Sequence, residues 1–318
     1  MGSINHKAIK RDFARNAFYF FRAVFGVLPY GVVKVLTSFI IAVAFEFVKS
    51  KRKIAKESID IALGDTVSDE KKKEIVKACF TNMGRGMIEL MYFTNHPEMI
   101  REKVFFEGKA NLDAALKEGK GVILVSAHFG NFPMMLLRIV QEGYQTSGIM
   151  RESRDVVIEK DFLAMRNKFG LKTIYSHPRT ECVRQSLKVL RDNELLFIPL
   201  DQNFGTKGGV FVEFFGQPAA TATGPAVFAM RTGAPIVPIF TMRDQGDRHK
   251  IIIEPAFHLE EKGNDEATIF ACTQKITQII ERYVRKYPQE WGWMHRRWKT
   301  KPQGNAAAEI GSKLPEMP

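Results

Sequence analysis

One histidine of this chain stands where a polar reacting group is expected. His128 follows the apolar run 121–125 and the small residues Ser126 and Ala127, and it precedes a second apolar segment that begins at Pro133. A short apolar strand that ends in small residues and opens into a helix brings its last side chains to the carboxyl edge of a sheet, where open α/β folds bind ligands. Pro133 suits the first helical turn, since its missing N–H costs nothing there. His128 is therefore either a general base or a satisfied buried histidine.

Four segments of the chain resemble the motifs of one enzyme family, in the same order. They are Ala-His-Phe-Gly-Asn-Phe at 127–132, the segment 150–155, the block from Asp201-Gln202-Asn203 through 214–219 and 223–226, and the Trp-rich stretch 291–299. Together they are similar to the late lipid A (lauroyl/myristoyl) branch of the bacterial lysophospholipid acyltransferase superfamily, over residues 52–302. The resemblance implies an acyl-thioester-dependent O-acyltransferase in which His128 is the general base.

The chain departs from the family pattern at the residue that should assist this histidine. The family carries Asp or Glu five positions after the histidine, where it orients the imidazole, and this chain carries Pro133. Such a carboxylate can contribute about 10²–10⁴-fold to the rate. Its loss either weakens the enzyme or requires another acid.

Two acids lie in the block that resembles the family's later motif, Asp201 and Glu213. We favour Glu213, because the alternating segment 210–215 reads as a strand edge, where a charged side chain is conspicuous unless it points into a site. Asp201 ends an apolar strand and has the alternative role of capping the following loop.

Four residues are candidates for substrate binding. Backbone N–H groups of Gly130 and Asn131, at the start of a helix, suit an oxyanion or an anionic acceptor, although Asn131 has the alternative role of a helix cap. Arg151 and Arg154 follow a strand end and carry the planar fork suited to phosphate. For both arginines the alternative is a surface salt bridge.

The tryptophans near the end of the chain allow two interpretations. Trp291, Trp293 and Trp298 alternate with basic residues. This pattern fits a membrane interface or an anionic headgroup, and it fits a core aromatic cluster equally well for Trp291 and Trp293.

Several kinds of chemistry find no support in the sequence. It contains no Gly-x-Ser-x-Gly elbow for a serine acyl-enzyme, no phosphate-binding Walker pattern and no recognisable nucleic-acid motif. The widely spaced cysteines, Cys79, Cys182 and Cys272, form neither a zinc pattern nor a disulfide framework. We expect no metal and no cofactor beyond a co-substrate, which is an acyl-carrier-protein or coenzyme A thioester.

Charge and hydropathy indicate a membrane surface. The chain has 47 Lys and Arg against 35 Asp and Glu, a formal net charge of +12, which suits an anionic surface. Residues 13–48 are apolar, but charges and Pro29-Tyr30-Gly31 keep every run below the roughly 20 residues of a spanning helix. We predict two helices lying in one leaflet, with Lys49, Lys51, Arg52, Lys53 and Lys56 on lipid phosphates. A core helical hairpin is the alternative.

The remaining pattern predicts an α/β fold, with a mostly parallel central sheet flanked by helices and an N-terminal membrane-associated helical extension. We place these N-terminal helices in residues 1–50, the acyltransferase domain in 51–302 and a disordered tail in 303–318. Predicted strands cover 104–106, 121–126, 145–150, 172–175, 195–200, 236–241 and 250–253. Predicted helices cover 54–94, 110–118, 133–142, 157–169, 180–191, 225–232 and 266–286.

These expectations combine into one function and two alternatives. The expected enzyme moves a fatty acyl group from acyl carrier protein or acyl-CoA to a hydroxyl of an anionic lipid A precursor or related glycolipid or lysolipid. It works at the cytoplasmic face of the bacterial inner membrane and does not bind nucleic acid. The alternatives are a catalytically impaired lipid-binding family member, suggested by Pro133, and a basic peripheral membrane scaffold.

Overall fold

The computed structural model describes residues 6–153, 155–205 and 208–302, without the side chains of residues 6–11, 13 and 14. The predicted tail at 303–318 and Arg154 lie outside these described residues. The helices are α1 (His6–Val27), α2 (Tyr30–Phe47), α3 (Lys49–Leu63), α4 (Asp69–Phe93), α5 (Pro97–Lys103), α6 (Lys109–Leu116), α7 (Phe132–Gln141), α8 (Val156–Phe169), α9 (Arg179–Arg191), α10 (Gly224–Thr232) and α11 (Asp265–Lys286). The strands are β1 (Val104–Glu107), β2 (Val122–Ser126), β3 (Thr146–Met150), β4 (Lys172–Tyr175), β5 (Leu195–Pro199), β6 (Gly209–Phe214), β7 (Gln217–Ala222), β8 (Ile236–Arg243) and β9 (His249–Ile253).

Seven strands form one central sheet in the order β1-β9-β8-β2-β5-β3-β4. Strands β8, β2, β5, β3 and β4 are parallel, whereas β9 runs antiparallel to β8 and carries β1 beside it. The predicted mostly parallel sheet flanked by helices is confirmed. Strands β6 and β7 form a separate antiparallel hairpin, and β7 was not predicted because its Pro- and Ala-rich sequence has Thr221 as its one strand-favouring residue.

The central strand β2 is buried along its whole length. Ile123 and Val125 join the core on one side of the sheet, together with residues of α3, α4, α10 and α11. Val122 and Leu124 join the core on the other side, with residues of α5, α6 and α7. Successive side chains of a strand point to opposite faces, so a strand covered on both sides reads as a continuous apolar run. This is why residues 121–126 could be recognised as a strand from sequence.

The N-terminal segment forms two helices around Pro29, as predicted, and α2 is apolar over most of its surface. Phe25 of α1 and Val33 of α2 are buried in the core beside α4. Helix α2 approaches α4 so closely that a Cβ on Gly84 would lie 2.8 Å from the Ile41 side chain. The opposite face is open, with Phe39 69% and Phe47 82% exposed. Among the described residues, α2 is a helix long and apolar enough to cross a membrane.

Residues 54–94 contain the end of α3 and all of α4, separated by a break at Gly64. Ser68 caps α4 by accepting a hydrogen bond from the Lys71 N–H at 3.3 Å, as its position before two acidic residues suggests. The short helix α5 was not predicted. Pro97 ended the pattern, as expected of a residue that disfavours helix before it, but it also occupies the first turn of α5.

The connection from β2 to α7 passes very close to the neighbouring strand β8. Gly130 has a φ of 54°, and a Cβ added there would lie 2.0 Å from the Thr241 carbonyl oxygen. Its N–H donates to the Glu290 carbonyl at 2.8 Å. Only glycine combines this left-handed conformation with such a close backbone approach, so the path of the loop depends on it.

We predict that Gly130→Ala lowers the free energy of unfolding by more than about 2 kcal/mol, because backbone strain of roughly 1–2 kcal/mol is joined by a clash with β8. The control is Gly119→Ala, since Gly119 has a φ of 72° and open space around its Cβ. Urea denaturation of both variants measures the difference. Equal losses would show that the approach to Thr241 imposes no constraint.

Candidate active site

The carboxyl ends of β2 and β5 bring a histidine and an aspartate together. These strands are parallel neighbours, so the residues that follow them meet at one edge of the sheet. The His128 Nδ1 lies 2.8 Å from the Asp201 Oδ1, and the backbone N–H of His128 donates to Oδ2 at 3.0 Å. Asp201 therefore fixes both the ring and the backbone of His128.

The Asp201 carboxylate is buried and accepts a third hydrogen bond. The indole N–H of Trp291 donates to its Oδ2 at 2.8 Å. Burial raises the pKa of Asp201, but the charge of His128 and these hydrogen bonds outweigh it and lower the pKa to about 2. Asp201 is ionised at neutral pH.

The geometry defines the state of the imidazole of His128. Burial lowers the pKa of His128, but the Asp201 charge and hydrogen bond prevail and leave that pKa raised. Because an ionised carboxylate only accepts hydrogen bonds, Nδ1 carries the proton of the neutral ring and Nε2 carries the lone pair. Nε2 lies 3.1 Å from the side-chain nitrogen of Gln202, an exposed residue. This arrangement can accept a proton from a substrate at Nε2.

The segment that carries Asp201 is clamped to the last described part of the chain. The Asn203 N–H donates to the His295 Nε2 at 3.0 Å, and the Asn203 side chain bonds to Thr300. Burial lowers the pKa of His295, which favours the neutral ring that can accept this bond. Asp201 is thus held by its own hydrogen bonds and by those of Asn203, two residues later.

Arg297 supports the same segment from inside the protein. It is fully buried, and its guanidinium donates to the Ala220 carbonyl at 2.7 Å and to the Gln202 carbonyl at 3.4 Å. Burial lowers the pKa of Arg297 to about 10, so the group is still a cation at neutral pH. Among the described residues, its hydrogen bonds go to neutral oxygens, the two carbonyls and the Thr221 hydroxyl, and not to a carboxylate.

The tryptophans belong to the core. Trp291, Trp293 and Trp298 are all buried, and their rings pack on one another and on Phe214. The core interpretation is therefore correct, and these rings do not reach a membrane interface. The hydrogen bond from Trp291 to Asp201 was not predicted. The available signal was the indole N–H of a Trp in a motif that resembles the family's last motif, since a buried indole needs an acceptor.

The preference for Glu213 over Asp201 was wrong. Glu213 lies on β6, where its N–H and carbonyl bond to the Gln274 side chain at 2.8 and 3.1 Å. None of the hydrogen bonds or ion pairs among the described residues joins it to His128. The strand assignment was right, but β6 packs on α11, where Glu213 meets Gln274. Alternation in sequence does not reveal that partner.

Two further predicted binding residues have structural roles. The Gly130 N–H is used by Glu290 and cannot serve an oxyanion. The buried Asn131 caps α7, since its Oδ1 accepts from the Met134 N–H at 3.4 Å and its Nδ2 donates to the Gly86 carbonyl at 2.9 Å. The helix-cap alternative for Asn131 is correct. Pro133 lies in the first turn of α7, as predicted.

Arg151 lies directly after β3 and is exposed. Strand β3 is parallel to β5, so Arg151 lies at the same edge of the sheet as His128, without a described contact between them. Asp155 caps α8 through the N–H groups of Val157 and Ile158. In the described part of the chain, no group of three or more His, Cys, Asp or Glu side chains is arranged to hold a metal ion.

Comparison with known proteins identifies the family. The model of the bacterial lipid A biosynthesis acyltransferase family matches residues 5–300. The chain is 27% identical over 302 residues to a lipid A biosynthesis palmitoleoyltransferase of Escherichia coli, covering 89% of this chain and 90% of that protein. It is 27% identical over 285 residues to the lipid A biosynthesis lauroyltransferase of the same organism, covering 87% and 88%. It is 26% identical over 227 residues to a phosphatidylinositol mannoside acyltransferase of Mycobacterium tuberculosis, covering 69% and 68%.

The family match spans the whole described sheet and the segments that build the His128–Asp201 pair. It confirms the resemblance found in the sequence motifs. This chain is an acyltransferase that belongs to the bacterial lipid A biosynthesis acyltransferase family.

Proposed function

We propose that this acyltransferase moves a fatty acyl group from an acyl-carrier-protein or coenzyme A thioester to a hydroxyl of a lipid A precursor or related glycolipid. The observation that carries the proposal is the His128–Asp201 pair, with Nε2 directed away from the acid. The names of the relatives support a glycolipid acceptor, because they refer to lipid A biosynthesis and to phosphatidylinositol mannosides.

The reaction follows from the tautomer of His128. Nε2 removes the proton of the acceptor hydroxyl while the hydroxyl oxygen attacks the thioester carbonyl carbon. The new O–C bond gives a tetrahedral intermediate, which collapses by breaking the C–S bond. The departing thiolate takes the proton from the imidazolium, so an ester and a free thiol are formed. Asp201 stabilises the imidazolium during these steps.

The His128–Asp201 pair also provides a carboxylate in place of the acid that the motif lacks at Pro133. Asp201 supplies a carboxylate to Nδ1 although position 133 is proline, which supports a competent enzyme over an impaired lipid-binding member. The identification of the chain as an acyltransferase likewise argues against a scaffold without activity.

The predicted acceptor is an anionic lipid in a membrane. One surface of the protein has the apolar and basic residues that suit binding to such a membrane. The open face of the N-terminal hairpin and the start of α3 place apolar and basic residues side by side. These are Val32, Val35, Leu36, Phe39, Val43 and Phe47 on α2, and Lys49, Lys51 and Lys53 on α3. Apolar insertion combined with attraction to anionic headgroups gives stable peripheral binding. We propose that the enzyme binds the cytoplasmic face of the inner membrane through this surface.

We predict that His128→Ala lowers acyl transfer by about 10²–10⁴-fold, because it removes the general base. The measurement is transfer of a labelled acyl group from acyl carrier protein or coenzyme A to a panel of glycolipids and lysolipids. His258→Ala, which changes an exposed histidine, is the matched control and keeps normal activity. Near-normal turnover of a folded His128→Ala protein would exclude His128 as the base.

We predict two effects of Asp201→Asn on the pH profile of kcat/KM. Activity requires neutral His128, so in the wild type it falls as the pH drops through the raised pKa of His128. Without the carboxylate that pKa decreases, and the acidic limb moves to lower pH. The plateau also falls by about 10²–10⁴-fold, since an amide does not hold the correct tautomer. An acidic limb that stays in place would mean that a different group titrates.

We predict that Val35→Glu combined with Phe39→Glu abolishes binding to vesicles that contain anionic lipid, measured by flotation. Both side chains are exposed, so the variant should keep its fold and its activity in detergent micelles, which is the control. Deleting residues 1–48 is a less clean test, because it also removes the buried Phe25 and Val33. Unchanged flotation of the double variant would contradict membrane binding through this face.

A further inference from the structure

Three backbone donors at and next to His128 already have partners within the protein. The N–H of His128 donates to Asp201 at 3.0 Å. The N–H of Phe129 donates to the Ala127 carbonyl at 2.8 Å, and that of Gly130 donates to the Glu290 carbonyl at 2.8 Å. These three N–H groups are therefore not free to stabilise the oxyanion of a tetrahedral intermediate formed beside His128, and a donor from another segment can serve it.

Gln202 supplies such a donor. Its side-chain nitrogen lies 3.1 Å from the His128 Nε2. Because Nδ1 carries the ring proton, Nε2 is the acceptor in this contact, and the Gln202 amide donates. The side chain is exposed, so an incoming substrate can displace it from Nε2 without disturbing the core.

The backbone of Gln202 is held firmly although its side chain is free. Asp201 before it accepts three hydrogen bonds, and Asn203 after it bonds to His295 and Thr300. The Gln202 carbonyl accepts from Arg297. A donor mounted on such a fixed backbone needs little reorganisation when charge develops.

We infer that the side-chain amide of Gln202 donates a hydrogen bond to the oxyanion of the tetrahedral intermediate. This inference rests on the function proposed above. When the acceptor hydroxyl replaces the amide at Nε2, the attacked carbonyl carbon lies one bond beyond the hydroxyl oxygen, within reach of the displaced amide. As the O–C bond forms, the carbonyl electron pair moves to its oxygen, which accepts the Gln202 N–H. Collapse restores the carbonyl and expels the thiolate, which takes the proton from His128.

The test compares kcat and KM of three variants in the labelled transfer assay. Gln202→Ala lowers kcat by about 10²-fold, the usual loss for one oxyanion donor, with KM nearly unchanged and the acidic limb of the pH profile in its wild-type place. Gln202→Glu keeps the size of the side chain but removes the donor, so kcat falls as well. Its added carboxylate near Nε2 moves the acidic limb to higher pH. Gln145→Ala changes an exposed glutamine before β3, at the opposite edge of the sheet, and keeps wild-type kcat.

The outcomes separate this inference from the proposed function. Wild-type kcat in Gln202→Ala, or a higher kcat, would overturn the inference and would show that the amide only occupies Nε2 in the free enzyme. A second contrary result would be that Gln202→Ala has both a lower kcat and a lower melting temperature while Gln202→Glu has neither. The loss of kcat would then come from folding, and the inference would be overturned too. A folded wild-type enzyme that transfers to no lipid acceptor would overturn the proposed function and, with it, the inference.

Discussion

The buried carboxylate of Asp201 is the interaction on which the site depends. It accepts hydrogen bonds from the His128 backbone, the His128 ring and the Trp291 indole. An ion removed from water costs several kcal/mol unless it is paired and hydrogen-bonded. These three donors come from segments far apart in sequence, the loop after β2 and the stretch that follows α11. The charge is therefore stable only when the whole carboxyl edge of the sheet is assembled.

The same requirement explains the last described part of the chain. Trp291 holds the carboxylate, His295 accepts from the backbone beside it, and Arg297 donates to the carbonyl of the next residue. The three tryptophans and Arg297 of a motif that looks suited to a membrane surface are thus buried, whereas Arg296 and Lys299 are exposed. The positive charge of Arg297 inside the protein also favours the ionised form of Asp201, because opposite charges attract strongly at low dielectric.

Helix α4 joins the apolar N-terminal hairpin to the catalytic loop. Gly84 allows the close approach of Ile41 on α2. Two residues further on, the Gly86 carbonyl accepts from Asn131 in the loop that follows His128. The face proposed to bind the membrane and the loop that follows the proposed base therefore contact the same helix.

The sequence alone indicated most of the secondary structure, apart from α5 and β7, and the position of His128, because these depend on local patterns. The buried run of β2, the break at Pro29 and the apolar periodicity of the helices each report local burial and backbone preference. The choice of Asp201 over Glu213 depended on tertiary structure, since it follows from β5 pairing with β2 while β6 packs on α11. Gly130 and Asn131 were likewise assigned by contacts with Glu290 and Gly86 that are distant in sequence. Periodicity shows that a side chain is buried or exposed, but the partner that it meets is fixed only when separate segments pack together.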